Sequence, residues 1–369
     1  MEQLGELWPL LRKAITEIGP GCLWKLCWDE QLRWQVLCVP PHDAKSLPIA
    51  ETPGSHEHDA WVIACALISI AVGRAPRDVS DAIALLDLHG GVVHGVDAVV
   101  NALLCGDKIF LNHTAQVYSA IQTTSLGRVG VRAAAETAVG SAKAGYDLEY
   151  DNEDSYGSVH TADGGMSLIV CDGVTGDNDG NGALASRAAV RALKDALAED
   201  GDLMVALTSA DRAVRSVSGG ASTALVVTVY PDGRADLCSV GDSSAWLVRP
   251  RKHAGRIAFR LTPAHTVLAQ DRRSDPAATD GESRLTQNLG GSIDQRYRGL
   301  IRVMPGDLLV LLSDGAAVSE QGWFGTDLAL LADANPQAPA LAAALTSRAE
   351  RLGGHDNATA VVTEIIANP

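Results

Sequence analysis

Short apolar runs bounded by turn residues recur through the last two-thirds of the chain. Strands are expected over Ser155–His160, Met166–Cys171, Ala224–Tyr230, Ala235–Val240, Ala245–Arg249, Asp307–Leu312 and Ala358–Ile365. Asp163-Gly164-Gly165 and Pro231-Asp232-Gly233 supply hairpin turns, with glycine where a positive φ is needed. Helical patterns fill Ala183–Ala198, Leu203–Val217 and Ala338–Leu352. Antiparallel strands with helices grouped between them indicate an α+β fold, a two-layered sheet flanked by helices.

The earlier part of the chain reads differently. A helix over Leu4–Ile18 ends at Gly19-Pro20-Gly21, and Cys22–Val39 reads as two strands around Asp29-Glu30. Helices follow over Asp59–Val72, Asp78–Leu88 and Val96–Leu104, and Gln122–Arg128 is short and polar enough to link two domains. We therefore expect a mainly helical domain over residues 1–125, with a strand pair, and a second domain over 126–369. Trp24, Trp28 and Trp34 share an even spacing that suits one face of that strand pair, as core or as a partner surface.

Composition narrows the chemistry. The 369 residues carry a net charge of −15, which lacks the clustered cations that nucleic acid requires and suits metal cations wherever carboxylates converge. The apolar run Trp61–Val72 falls short of the roughly 20 residues of a membrane span, so no membrane partner is expected. The mixed apolar and charged stretch Met1–Ile15 is no secretory h-region, and the seven cysteines are scattered. Reduced thiols in a cytoplasmic protein are the expectation.

Acidic residues sit at strand ends. Met166–Cys171 runs into Asp172-Gly173, and Asp307–Leu312 runs into Ser313-Asp314-Gly315. The order is reversed at Asn152-Glu153-Asp154 before Ser155–His160 and at His355-Asp356-Asn357 before Ala358–Ile365. In an antiparallel pair the start of one strand lies beside the end of its partner. A hairpin through Asp163-Gly164-Gly165 therefore brings Asp154 to Asp172. Pairing of Asp307–Leu312 with Ala358–Ile365 brings Asp314 to Asp356. Carboxylates gathered in this way repel one another, and hard divalent ions such as Mg²⁺ or Mn²⁺ resolve the repulsion. The simpler reading is that each Asp-Gly pair merely makes a turn.

A series of short motifs resembles the metal-dependent protein phosphatase family, protein phosphatase 2C, over roughly residues 128–366. In order these are Asn152-Glu153-Asp154-Ser155, Asp172-Gly173-Val174-Thr175-Gly176, Ala221-Ser222-Thr223-Ala224 and Val240-Gly241-Asp242-Ser243-Ser244-Ala245. Leu261-Thr262 with His265-Thr266, Leu285-Thr286-Gln287-Asn288-Leu289-Gly290, Ser313-Asp314-Gly315 and Asp356-Asn357-Ala358-Thr359 complete it. The resemblance implies a four-layer α-β-β-α sandwich of antiparallel sheets with a dinuclear Mn²⁺ or Mg²⁺ site at one end. It implies that Asp172 bridges both ions, that Gly173 offers its carbonyl, and that Asp314 and Asp356 hold one ion. Glu153 and Asp154 would reach the ions directly or through water. It further implies in-line attack on phosphorus by a metal-activated water, with no covalent enzyme intermediate.

This chain departs from the family pattern in places. Where many members carry an arginine that grips the substrate phosphate, four residues before the motif's glutamate, this chain has Glu149. Arg128, Arg132 and Lys143 are candidate replacements. Val174 stands where eukaryotic members carry a histidine, and Ser218-Gly219-Gly220 where a third-metal acid often lies. Asp177-x-Asp179-x-Asn181-Gly182 imitates an EF-hand loop but has Ala188 at its twelfth position. His56-x-His58-Asp59 lacks a third ligand at a readable spacing. His265 falls on an expected surface loop, with Thr266–Ser283 as a flap near the metals and guanidinium groups at Arg272 and Arg273. The expected function is a phosphomonoester hydrolase acting on phosphoserine or phosphothreonine in proteins. The alternatives are a small-molecule phosphatase with the same site, or a catalytically weak regulator that binds phosphoproteins.

Overall fold

The computed structural model describes residues 23–28, 34–39, 128–145, 151–175, 181–217, 219–250, 255–271, 281, 284–318 and 324–368. The helices expected before residue 125, the His56/His58 pair and Glu149 lie outside the described residues. The chain divides into two compact units, residues 1–122 with 270–279 and residues 123–269 with 280–369. In the first, strands β1 (Leu23–Trp28) and β2 (Trp34–Val39) form an antiparallel pair that sets Trp28 opposite Trp34 and Trp24 opposite Cys38.

The second unit holds the remaining elements, apart from the last two residues of α4. They begin with β3 (Val129–Ala138), α1 (Ser141–Ala144), β4 (Asp154–His160), β5 (Met166–Val174), α2 (Gly182–Glu199) and α3 (Leu203–Ser216). Next come β6 (Ala221–Ser222), β7 (Ala224–Val229), β8 (Arg234–Val240), β9 (Ser244–Pro250), β10 (Arg256–Arg260) and α4 (Val267–Asp271). The unit closes with β11 (Tyr297–Arg302), β12 (Leu308–Leu312), a 3₁₀ turn at Asp314–Ala316, α5 (Phe324–Ala334), α6 (Ala338–Arg351) and β13 (Ala358–Ala367).

Two antiparallel sheets result, one in the order β10-β9-β12-β13-β3 and one in the order β11-β8-β7-β5-β4, with β6 paired beside β5. Side chains alternate across each strand, so a strand covered on both faces must be apolar at every position. In β5, Ile169 and Cys171 join the core under α2 and α3, which also contains Leu193, Leu207 and Val226. Leu168 and Val170, at the intervening positions, are equally buried. In β12, Val310 and Leu312 pack with Phe324, Leu328, Leu341 and Leu345 of α5 and α6. Leu309 and Leu311 are buried at the alternate positions. Helices thus cover the outside of each sheet, which is the α-β-β-α sandwich. Cys171 and Cys238 are buried free thiols in the first of these cores.

The expected turns are present, with Gly164 at φ 85° and Gly233 at φ 81°. The expected central strands are also found, with boundaries moved by a few residues. β3, β10 and β11 were not anticipated, and each is the outermost strand of its sheet. A strand paired on one side only is free to carry charges, as Arg132, Glu136, Arg256, Arg298 and Arg302 show. No helix among the described residues is long and apolar enough to cross a membrane.

One buried ion pair joins the end of β9 to the residue before β12. Arg249 donates from Nε to Asp307 Oδ1 at 2.7 Å and from Nη2 to Asp307 Oδ2 at 2.6 Å, with the aspartate fully buried. Removing one partner leaves the other charged and desolvated. Asp307→Ala should therefore cost about 3–5 kcal/mol, read as a lower urea midpoint at constant slope. A loss below about 1 kcal/mol would show that water reaches Arg249.

Candidate metal centre

The site forms where both sheets end together. The β4–β5 register places Asp154 directly opposite Asp172. Antiparallel pairing of β12 with β13 brings the turn that carries Asp314 beside the start of β13, just after Asp356. The Asp172 and Asp314 carboxyls lie close enough that Asp314 helps to hold Asp172 in its neutral form. Asp154 Oδ2 accepts a 2.7 Å bond from Ser313 Oγ, which in turn accepts from Thr359 N at 2.9 Å. This serine–threonine bridge joins the two sheets at the site.

The backbone around these carboxylates is packed without room for side chains. A Cβ at Gly173 would lie 2.1 Å from Gly182 O and 2.7 Å from Glu153 O. A Cβ at Gly315 would lie 2.2 Å from Asn357 O. Beneath Asp172, its N–H donates to Thr223 Oγ1 at 2.9 Å, and Thr223 bonds Ser243 at 2.8 Å. The motif Gly241-Asp242-Ser243 follows β8 directly, and this brings Asp242 into the cluster, where it feels the charges of Asp314 and Asp356. The resemblance that implies the other ligands does not name Asp242 among them. The signal was there, an acid at the end of an apolar strand.

Lys143 enters from a segment whose place the motifs could not give. Helix α1 is pinned to the loop before β13, because Gly354 O accepts from both Ala142 N and Lys143 N at 3.0 and 3.1 Å. The Lys143 ammonium consequently reaches Glu153 Oε2 at 3.0 Å and bonds Asp356 Oδ1. Thr175 Oγ1 donates to the other Glu153 oxygen. Arg132 instead pairs with Glu364 at the sheet edge at 3.5 Å, two-thirds exposed. His265 corrects an expectation, since it is buried rather than on a surface loop. Its Nδ1 accepts from Gly241 N at 3.1 Å and its N–H donates to Gly241 O at 2.9 Å, which fixes the turn before Asp242. Asn181, the last described member of the EF-hand-like sequence before α2, caps that helix by accepting from Leu184 N at 2.8 Å.

The electrostatics follow from crowding buried acids. Burial, reinforced by Asp314 and Asp356 and partly offset by Ser313 and Thr359, pushes the Asp154 carboxyl up to about 7. Burial and the charge of Asp314 push Asp242 up to about 7. Asp172 is held well above the ordinary carboxylate range by burial and by Asp154 and Asp314, and Asp314 is raised by burial and Asp356. Burial opposes the charge on Lys143, but its bonds to Asp356 and Glu153 outweigh this and raise its pKa.

These donors suit a hard divalent cation. Oδ1 of Asp154 and Oδ1 of Asp314 are buried without a hydrogen-bond partner among the described residues, an expensive state that a cation would relieve. Among the described residues, no three His, Cys, Asp or Glu side chains converge on one ion-sized centre in this arrangement. The positive charge already present takes up part of the donor set, through Lys143 on Asp356 and Glu153. The fit is therefore one of donor chemistry, with side chains that must turn to grip an ion.

No protein-family model matches the sequence, and no curated protein matches it. Solved structures do resemble it. A serine/threonine phosphatase of S. agalactiae matches with a TM-score of 0.53 at 20% identity, covering 64% of this chain and 99% of that one. The Staphylococcus aureus serine/threonine phosphatase matches with a TM-score of 0.51 at 18% identity, covering 66% and 98%. A Mycobacterium tuberculosis serine/threonine phosphatase matches with a TM-score of 0.50 at 24% identity, covering 64% and 99%. At these identities the likeness is one of fold, and the second unit has the protein phosphatase 2C fold that the ordered motifs imply.

Two outcomes follow from the charge balance. The raised carboxyl pKa values mean that the folded protein holds more protons than the unfolded chain between about pH 4 and about pH 7. This contribution to stability is present below that window and lost as pH rises through it. In excess EDTA, the unfolding temperature should fall from pH 5 to pH 8, and Asp172→Asn should flatten the slope. A temperature that rises across this range would contradict the assigned crowding. Separately, Lys143→Gln releases Asp356 and Glu153, so Mn²⁺ measured by titration calorimetry should bind roughly fivefold more tightly. Weaker binding would mean that Lys143 supports the ion instead of competing with it.

Proposed function

We propose that this protein is a metal-dependent phosphomonoester hydrolase acting on phosphoserine or phosphothreonine in proteins, at a dinuclear Mn²⁺ or Mg²⁺ site. The observation that carries this reading is the meeting of Asp154, Asp172, Asp242, Asp314 and Asp356 where two sheets end, with buried oxygens on Asp154 and Asp314 unpartnered. The fold likeness to bacterial serine/threonine phosphatases supports it. In this reading Asp172, the Gly173 carbonyl, Asp314 and Asp356 would hold the ions, and Glu153 and Asp154 would reach them directly or through water. Divalent ions bound there would polarise a phosphoryl oxygen and lower the pKa of an attacking water.

The chain's own residues then have definable tasks. Ser313 and Thr223 hold Asp154 and Asp172 in place through their hydroxyl groups. Lys143 carries a positive charge in contact with Asp356 and Glu153 and stands ready to offset phosphate charge once it leaves Asp356. Val174, more than one-third exposed beside Gly173, offers no proton, so the leaving group takes its proton from water. The Lys143 ion pairs also favour the second reading, a catalytically weak phosphoprotein-binding regulator whose carboxylates are partly neutralised from within.

Turnover of p-nitrophenyl phosphate and of a phosphothreonine peptide, with Mn²⁺ and with EDTA, separates these readings. Metal-dependent turnover is expected, and Asp172→Asn should lower it by roughly two to three orders of magnitude with unchanged circular dichroism. A variant within a few-fold of wild type would remove Asp172 from the centre. Tight phosphopeptide binding with no turnover would favour the regulator.

A further inference from the structure

Beside the carboxylate cluster, a groove of about 420 Å³ runs between the edge strand β4 and helix α2. It starts at Asp154 and Ser155, the residues by which β4 enters the cluster, and continues past Tyr156. Its other wall is Arg187, Arg191 and Lys194, spaced four and three residues apart and therefore aligned in one row along the helix. Arg187 and Arg191 are exposed. Lys194 lies across Gly157, where an added Cβ would sit 3.1 Å from its Cδ and 3.0 Å from Val190 Cγ1. The missing side chain thus lets the lysine stem lie against the strand, and the residue lines the groove.

This row runs against the charge of the chain, which is −15 overall. Three acids face it among the described residues, of which Asp154 is buried at its start and bonded by Ser313. Asp151 pairs with Arg187 at 3.0 Å, both side chains more than half exposed, and Asp195 lies at the groove's edge. An exposed pair of that kind contributes little and can be exchanged for another anion. Arg191 and Lys194 have no ion-pair partner among the described residues. From Arg187 to Lys194 the helix rises about 10 Å, the length of about three residues of extended peptide.

We propose that this groove receives acidic side chains of the substrate polypeptide flanking the phosphorylated one, making the protein selective for phosphoserine or phosphothreonine in acidic sequence. The proposal rests on the phosphatase reading for what lies at the carboxylates, but not for the binding of acidic peptide itself. Charge complementarity carries it, together with the groove's origin at the residues that enter the cluster.

The test measures binding and turnover separately on the full chain. Fluorescence anisotropy compares a labelled, unphosphorylated peptide rich in Asp and Glu with its Asn and Gln counterpart. Wild type should prefer the acidic peptide, and Arg191→Glu with Lys194→Gln should weaken that binding roughly tenfold or more without affecting the neutral peptide. The milder Arg191→Ala with Lys194→Ala should show a smaller loss, and circular dichroism confirms that both variants fold. In turnover, kcat/KM for a phosphothreonine peptide with acidic flanks should drop in parallel while p-nitrophenyl phosphate is unaffected. Equal binding of the acidic peptide by wild type and variants, or no preference in wild type, would overturn the proposal. Acidic-peptide binding that depends on this row, in a protein that hydrolyses no phosphate ester, would uphold the groove and remove the phosphatase reading.

Discussion

Negative charge that cannot be moved apart is the constraint on which this structure turns. Antiparallel pairing forces the end of β5 against the start of β4 and the end of β12 against the start of β13. Each of these ends carries an aspartate, so the folding of two sheets delivers Asp154, Asp172, Asp314 and Asp356 to one place. The chain meets the repulsion with raised carboxyl pKa values at Asp172 and Asp314, a lysine on Asp356, and a serine hydroxyl on Asp154. None of these satisfies every buried oxygen. A site that retains unpaired acceptors after folding is prepared for a cation, at a cost in stability that grows as the acids ionise.

The cost is carried by backbone contacts as much as by side chains. Gly173 touches the start of α2 and the Glu153 carbonyl, and Gly315 touches the backbone before β13, each too closely for any other residue. The turn before Asp242 is clamped by His265 through both its backbone and its ring. Loops from distant parts of the chain are therefore locked together around the acids, with cores under α2 and α3 and under α5 and α6 as the anchors. Lys143 belongs to the same arrangement, since α1 is held by the carbonyl of Gly354 next to the β13 entry.

What was legible in the sequence divides along a physical line. Central strands such as Met166–Val174 and Leu308–Leu312 must be apolar on both faces, and their runs stand out. Edge strands need no such pattern. Val129–Ala138 is rich in alanine and charge, and it becomes a strand because β13 offers it a partner. The same freedom hides Arg256–Arg260 and Tyr297–Arg302.

The amino-acid order by itself determined the sandwich, the hairpin through Asp163-Gly164-Gly165, and the meeting of the strand-end acids, because strand pairing is a rule about neighbours and direction. Tertiary structure alone decided that Lys143 stands among those acids and that His265 is buried as a clamp. It alone also aligned Arg187, Arg191 and Lys194 beside β4. Those placements depend on loops and on a helix packing across a strand, contacts between residues far apart in the chain that no local pattern encodes.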